Sequence, residues 1–233
     1  MNKVEEYTAE LDALDPAAWP AYLTERSGLP GPRGNIELGQ AVADAGALAT
    51  FDALIASDDE YLKFCGVVGL GAVLAAGDRA VEARLRRHAA DGRWRVREGV
   101  AMALQRLGDA DLPRLLALVD DWVDDPDPLV QRAAAAAICE PRLLRTPRAA
   151  AAAVDVCRRA TASLAARPPA ERRDPDVRTL RQGLGYCWSV AVAADPVPGL
   201  AAFADLESAA DDAEVAWIVR ENRKKKRLAA LLP

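Results

Sequence analysis

Five segments of this chain share one pattern, which limits the fold more than any other feature. In each, an aspartate precedes an apolar residue and a helix-length run whose apolar residues are spaced by three and four. Aspartate can cap the exposed amide groups of a new helix, and proline is tolerated in its first turn. The pattern therefore predicts five capped helices. Their segments are "SDDEYLKF" from Ser57, "ADGRWRVR" from Ala90, "DDPDPLVQ" from Asp124, "RDPDVRTL" from Arg173 and "ADDAEVAW" from Ala210.

A shorter amphipathic segment precedes each of these five helices. Helix, turn and capped helix recur at intervals of about 33 to 50 residues, which is the signature of a helical solenoid. Aromatic residues make up only 5% of the chain, so alanine, leucine and valine must build the core. Alanine and leucine are strong helix formers, so the composition also favours an all-α protein. The five shorter segments are residues 47–56, 79–90, 112–123, 149–166 and 198–208.

The repeat length and the Asp-x-x-x-x-Val-Arg spelling of the second helix resemble HEAT repeats over about residues 45–230. The resemblance implies a right-handed α-solenoid of about five helix pairs, residues 46–233, that follows an N-terminal helical cap. That cap, residues 1–45, is acidic and contains a Gly/Pro loop, after which Asn35 can cap the next helix. The residues that prevent helix in this loop are Gly28, Pro30, Gly31, Pro32 and Gly34.

The charge is unevenly distributed. The net charge is −5, but residues 1–60 carry 3 Lys/Arg against 12 Asp/Glu, whereas residues 61–233 carry 27 against 23. This balance disfavours a globally basic nucleic-acid-binding protein, although it leaves room for a basic stripe. The run "RENRKKKRL" near the C-terminus favours a solvated outer face of the last repeat.

Cysteine and hydropathy patterns predict a soluble, reduced, cytoplasmic protein that does not associate with membranes. The four cysteines form no Cys-x-x-Cys pair, and the single histidine, His88, is far from them in sequence. No run approaches the roughly 20 apolar residues that span a bilayer. We therefore predict no metal site and no cofactor.

Catalytic motifs are absent from the sequence. There is no phosphate-binding Gly-x-x-x-x-Gly-Lys loop, no Gly-x-Ser-x-Gly elbow and no His-Glu-x-x-His. A histidine-dependent nucleophile would have to use His88, whose place near a helix end favours solvation instead. The glycine-rich "GLGYCW" lies within a predicted helix, so Gly183 and Gly185 are expected to permit close approach of another helix.

One constellation remains as a candidate binding surface. Inner helices line the concave side of a solenoid, and here they offer arginine beside tryptophan. A guanidinium suits carboxylate or phosphate, and an indole offers a face for stacking. We predict a non-enzymatic binding or scaffold protein with a macromolecular partner, and a protein partner is favoured. The candidate binding residues are Trp94, Arg97, Arg132, Arg178, Arg181, Trp188, Trp217, Arg220 and Lys224.

A second resemblance gives an alternative. The run "VQRAAAAA", the spacing of Trp94 and Glu98, and the ending "WIVRENRKKKRL" resemble the HEAT-like-repeat DNA alkylpurine glycosylases. The resemblance implies that Glu98 is the catalytic carboxylate and that Trp94 and Trp188 are aromatic walls beside a cationic base. It also implies phosphate contacts by Arg132, Arg178 and Arg220.

The residues themselves leave these alternatives open. Glu98 can instead form an ion pair with a neighbouring arginine such as Arg95, because residues one turn apart meet on a helix surface. The oligomeric state is open as well, since the acidic N-terminal cap and the basic C-terminal run could join two copies.

Overall fold

Aspartate caps begin four of the five predicted helices in the computed structural model, which describes residues 2–31 and 33–232. Asp59 Oδ1 accepts hydrogen bonds from the Tyr61 and Leu62 amides at 2.8 and 2.9 Å. Asp127 and Asp174 each accept a 2.8 Å hydrogen bond from the amide two residues later. Asp212 accepts hydrogen bonds from the amides two and three residues later, at 2.9 and 3.3 Å. Their side chains satisfy amides that the helix leaves without partners.

All of the regular structure in the described residues is helical. Short 3₁₀ turns precede or connect several of the α-helices. The α-helices are α1 Lys3–Asp12, α2 Trp19–Glu25, α3 Ile36–Ala45, α4 Leu48–Ile55, α5 Glu60–Ala75, α6 Glu82–Ala89, α7 Trp94–Ala110, α8 Leu112–Trp122, α9 Pro128–Ile138, α10 Pro147–Ala166, α11 Pro175–Ala194, α12 Pro196–Ser208, α13 Ala213–Arg223 and α14 Lys226–Ala229.

The helices divide into two compact units, residues 1–110 and 111–233. In the first unit α5 packs between α3 and α7, while α4 packs against α5 and α6 packs against α7. Helix α1 packs on α3, so the predicted cap of residues 1–45 lies within this unit. Asn35 accepts a 3.1 Å hydrogen bond from the Leu38 amide, which confirms it as the cap of α3. Pro32 lies outside the described residues.

The second unit is organised around α11. Helix α11 packs against α9, α10, α12, α13 and α14, and its buried face supplies Leu180, Leu184 and Trp188 to the core. Helices α8 and α9, α10 and α11, and α12 and α13 form successive pairs, as α4 and α5, and α6 and α7, do in the first unit. The all-α solenoid of about five helix pairs is therefore confirmed.

Glycine sets the closest helix contacts. A Cβ added at Gly71 of α5 would lie 2.5 Å from the Ala103 Cα of α7, a distance that real Cβ atoms do not adopt. Larger residues there would force the two helices apart, because protein cores are close-packed. No helix in the described part of the chain has both the length and the apolar character to cross a membrane.

Candidate functional site

Trp217 and Arg181 stack on each other on the facing sides of α13 and α11. The Arg181 Cζ atom lies 4.5 Å from the centroid of the Trp217 ring, within the range of a cation–π interaction. The Arg181 Nη1 atom also donates a 2.5 Å hydrogen bond to Glu214 Oε2. The side chains of Arg181 and Glu214 are only 22% and 20% exposed, so this ion pair is partly shielded from water. The indole plane is consequently fixed relative to both helices.

A glycine on α11 makes room for the Trp217 ring. A Cβ at Gly185 would lie 2.7 Å from Trp217 Cζ3 and 3.3 Å from the Glu221 Cβ atom. At Gly183 a Cβ would lie 3.2 Å from the Arg132 Cγ atom. The expected role of both glycines in close approach between helices is confirmed.

Tyr186 extends this stacked group toward the C-terminus. Its ring is 44% exposed, and its hydroxyl accepts a 2.9 Å hydrogen bond from Arg227 Nη2. The Arg227 Cζ and Lys225 Nζ atoms lie 5.1 and 5.8 Å from its ring centroid. Two cations therefore lie beside one exposed aromatic ring.

Positive charge on this side of the second unit is only partly neutralised. Lys224 Nζ lies 2.6 Å from Glu221 Oε1, and this hydrogen bond lowers the pKa of the Glu221 carboxyl. Arg178 and Arg220 are exposed, and neither has a carboxylate of a described residue within 4.0 Å. We call this group the arginine–aromatic surface and define it by Arg178, Arg181, Tyr186, Trp217, Arg220, Lys224, Lys225 and Arg227.

Trp188 and Arg132, two of the residues expected on a binding surface, lie instead in the core. Trp188 is 1% exposed, and its Nε1 atom donates a 3.0 Å hydrogen bond to the buried Thr161 hydroxyl. Its ring packs edge-on against Phe203 with 6.3 Å between centroids. Arg132 is 8% exposed, and its stem lies against Gly183. Both side chains are thus occupied in helix packing.

The three candidates on α7 lie in the first unit. Trp94 is the first residue of the helix and is 48% exposed. Arg97 Nη1 donates to the Asp91 and Gly92 carbonyl oxygens at 2.7 and 3.0 Å, which fixes the preceding turn. Glu98 accepts a 3.0 Å hydrogen bond from Arg95 Nη1, the ion pair that helix spacing allows.

Sequence reasoning missed part of the arginine–aromatic surface. Tyr186, Lys225 and Arg227 were not among the candidates. Lys225 and Arg227 lie at the start of α14, a separate short helix whose direction the sequence does not reveal. A usable signal was the i, i+4, i+8 spacing of Arg178, Gln182 and Tyr186, which places all three on one exposed face of α11.

Two cysteines of the second unit lie close together in its core. Cys139 Sγ and Cys157 Sγ are 3.7 Å apart, and both thiols are free and buried. Within residues 2–31 and 33–232, no group of three or more His, Cys, Asp or Glu side chains is arranged to hold a metal ion.

Sequence comparison finds a match to one repeat family. Residues 47–139 match the family model described as HEAT repeats. This segment, less than half of the chain, is similar to HEAT repeats. It covers α4 to α9, of which α5 and α9 begin at the aspartate caps described above. No curated protein matches the chain in sequence.

Three solved structures are similar to the chain over nearly its whole length. Two are engineered proteins of a structural genomics consortium, each 18% identical, with TM-scores of 0.37 and 0.36. The match to the first covers 99% of this chain and 98% of the engineered protein. The match to the second covers 97% of this chain and 100% of the engineered protein. A designed armadillo repeat protein in complex with the peptide (KR)4 is 16% identical, with a TM-score of 0.36. The match covers 99% of this chain and 100% of the designed protein. At these TM-scores the likenesses carry no argument about function.

Proposed function

We propose that this protein is a non-enzymatic HEAT-repeat scaffold whose arginine–aromatic surface binds an acidic segment of a protein partner. The observation that carries the proposal is the combination of Trp217, held by Arg181, with exposed Arg178 and Arg220 that lack carboxylate partners. Exposed guanidinium groups beside fixed aromatic rings suit carboxylates and planar side chains. The free cysteines fit a cytoplasmic location.

Preorganisation supports this surface as a binding site. The cation–π contact and the Arg181–Glu214 ion pair fix the Trp217 ring before any partner arrives. A fixed side chain loses less conformational entropy when a partner binds it. Tryptophan, tyrosine and arginine are also the residues that dominate the binding energy of protein interfaces.

DNA is the second candidate partner, in the class of the alkylation-repair proteins that the chain resembles. The observation that favours it is the same pair of unneutralised arginines beside an exposed tyrosine, because phosphates and bases can replace carboxylates and side chains. The second unit as a whole carries 18 Lys/Arg and 18 Asp/Glu, so the neutral balance favours a protein over a polyanion.

A comparison of the affinities of two probes tests the proposal. Fluorescence anisotropy of a labelled glutamate-rich peptide and of an equally labelled short DNA duplex would be measured with the full-length protein at low and physiological salt. We expect the peptide to bind more tightly at physiological salt. Binding of the duplex alone, with a steep salt dependence, would replace the protein partner by DNA.

The role of Glu98 has its own test within the DNA alternative. Base release would be measured with a duplex that carries N7-methylguanine, using the wild type and Glu98→Gln. Because Glu98 is already paired with Arg95, we expect no release by either protein. If the wild type released the base and Glu98→Gln did not, Glu98 would be catalytic and the protein would be an enzyme.

A further inference from the structure

A further candidate site lies in the first unit, away from the arginine–aromatic surface in sequence and unlike it in charge. It is a cavity of about 540 Å³ between the loop after α2 and the N-terminal ends of α5 and α7. This volume falls within the range of small-molecule and side-chain pockets. Its wall consists of Thr24, Ser27, Leu29, Pro30, Asp59, Glu60, Tyr61, Trp94 and Arg95.

Two internal hydrogen bonds hold the shape of this cavity. The Leu29 amide donates to the Ser27 hydroxyl at 3.1 Å, which fixes the loop side. The Tyr61 hydroxyl donates to the Asn35 carbonyl oxygen at 2.7 Å, and Tyr61 is 1% exposed. Tyr61 thus forms the floor of the cavity, and the 48% exposed indole of Trp94 lies at its rim.

The carboxylates of the cavity retain free acceptor capacity. Asp59 uses Oδ1 to cap α5, and Glu60 uses Oε1 to accept a 2.9 Å hydrogen bond from the Arg95 amide. No hydrogen bond from a described residue reaches Asp59 Oδ2 or Glu60 Oε2, and neither side chain has a Lys or Arg nitrogen within 4.0 Å. One oxygen of each carboxylate is therefore available to a ligand.

The two arginines that flank Trp94 in sequence are already paired with other acids. Arg93 makes two hydrogen bonds to the Asp91 carboxylate, at 2.9 and 2.8 Å, and Arg95 pairs with Glu98. Asp59 and Glu60 are consequently the carboxylates of the cavity that have no ion pair with a described Lys or Arg side chain. They also offset the partial positive charge at the ends of α5 and α7, which would otherwise favour an anion.

The net charge of the whole first unit also favours a cationic ligand. Residues 1–110 carry 12 Lys/Arg and 17 Asp/Glu, whereas residues 111–233 carry 18 of each, so the net charge of −5 belongs to the first unit. A negative unit attracts cationic partners from a distance and repels anionic ones.

We propose that this cavity binds an arginine or lysine side chain from a basic segment of a partner protein. The cation lies against the Trp94 indole and is held by Asp59 Oδ2 and Glu60 Oε2. Cation–π attraction and charge-assisted hydrogen bonds would then act on the same group. This inference does not depend on the arginine–aromatic surface, because the two sites have different residues and opposite ligand charge.

Two-dimensional NMR of the full chain tests it with short capped tripeptides. The Trp94 indole N–H signal would be assigned with Trp94→Phe and followed during titration with Ac-Gly-Arg-Gly-NH₂ and Ac-Gly-Lys-Gly-NH₂. We expect a saturable shift of that signal with both peptides and no shift with Ac-Gly-Gln-Gly-NH₂ or Ac-Gly-Glu-Gly-NH₂. Absence of a shift with the basic peptides, or an equal shift with the acidic one, would overturn the proposal.

Isosteric variants test whether the negative charges of the cavity, rather than its fold, determine the affinity. Asp59→Asn combined with Glu60→Gln keeps one carbonyl oxygen for each capping bond but removes both charges, so we expect at least a ten-fold loss of affinity. Asp12→Asn combined with Glu82→Gln changes the net charge equally, and neither residue lines the cavity. Equal affinity loss in both pairs would assign the shift to the net charge and contradict a built site.

Discussion

Asn222 accepts a 2.8 Å hydrogen bond from the backbone amide of Ser189, which joins α13 to α11 inside the core. Its Nδ2 atom donates to the Leu184 and Ile218 carbonyl oxygens at 2.9 and 2.8 Å, and the side chain is fully buried. One amide thus satisfies three backbone groups between the two helices that carry the arginine–aromatic surface.

Asn222→Ala is expected to destabilise the protein by about 2–4 kcal/mol, because it removes three buried hydrogen bonds. Urea denaturation followed by circular dichroism would measure the loss. Gln182→Ala, on the exposed face of α11, is the control and should change stability by less than about 0.5 kcal/mol. Equal midpoints for Asn222→Ala and the wild type would show that the bridge is dispensable.

Gly185→Ala is predicted to disturb the Trp217 ring. The new Cβ would lie 2.7 Å from Trp217 Cζ3, so the ring must move away from Arg181. The overpacking cost of about 1–3 kcal/mol exceeds the gain of about 1 kcal/mol from alanine in a helix. Thermal melting and the tryptophan emission spectrum would report both effects.

Gly92→Ala is the matched control, since nothing lies within 4 Å of a Cβ at that position. If Gly185→Ala melted at or above the temperature of the wild type with unchanged emission, the close contact between α11 and α13 would be contradicted.

The comparison of Trp94 with Trp217 shows how far sequence reasoning reaches. The capped helices were predictable because each aspartate cap acts on amides only two or three residues away. The two tryptophans share the Trp-x-Val-Arg spelling, yet Trp217 lies against Gly185 under Arg181, whereas Trp94 stands exposed at the start of α7. The difference arises from contacts with another helix, which a local motif does not specify.

Arg132 and Arg220 illustrate the same distinction for charge. Both arginines occur in the second helix of a helix pair, but Arg132 is 8% exposed against Gly183, while Arg220 is exposed. An arginine stem can pack along an apolar neighbour, so the residue type alone does not determine burial. The sequence could therefore predict the residue types of the binding surface, arginine and tryptophan, but only some of the individual residues.

Stability should fall as the pH decreases through the titration of His88. Burial lowers the pKa of His88 below its ordinary value of 6.5. From about pH 6.5 downward the unfolded chain therefore binds a proton that the folded protein does not, so the free energy of unfolding decreases. Asp91 raises the pKa of His88, whereas nearby Lys63, Arg84 and Arg87 lower it.

His88→Gln provides the control for this pH effect. Urea midpoints would be compared at pH 7.5 and 5.5, above the range in which most carboxyl groups titrate. We expect the wild type to lose more stability than the variant over this interval, because His88 is the only histidine. The same loss in both proteins would exclude His88 as the source.

The four cysteines are predicted to be unreactive in the folded state. All four are free and buried, and burial raises the pKa of the Cys65 and Cys157 thiols above the usual range. Since the thiolate is the reactive form, Ellman's reagent at pH 8 should modify none of them until denaturant is added. A thiol that reacts in the native protein as fast as free cysteine would contradict this burial.

The central claim is that exposed arginines of the arginine–aromatic surface bind an acidic partner segment. The most direct measurement compares Arg178→Glu/Arg220→Glu with Arg145→Glu/Arg148→Glu in the anisotropy titration with the glutamate-rich peptide. All four arginines are exposed residues of the second unit, and both pairs change the net charge equally. We predict at least a ten-fold weaker affinity for the first pair and a much smaller change for the second. Equal weakening in both pairs, or none in the first, would contradict the account.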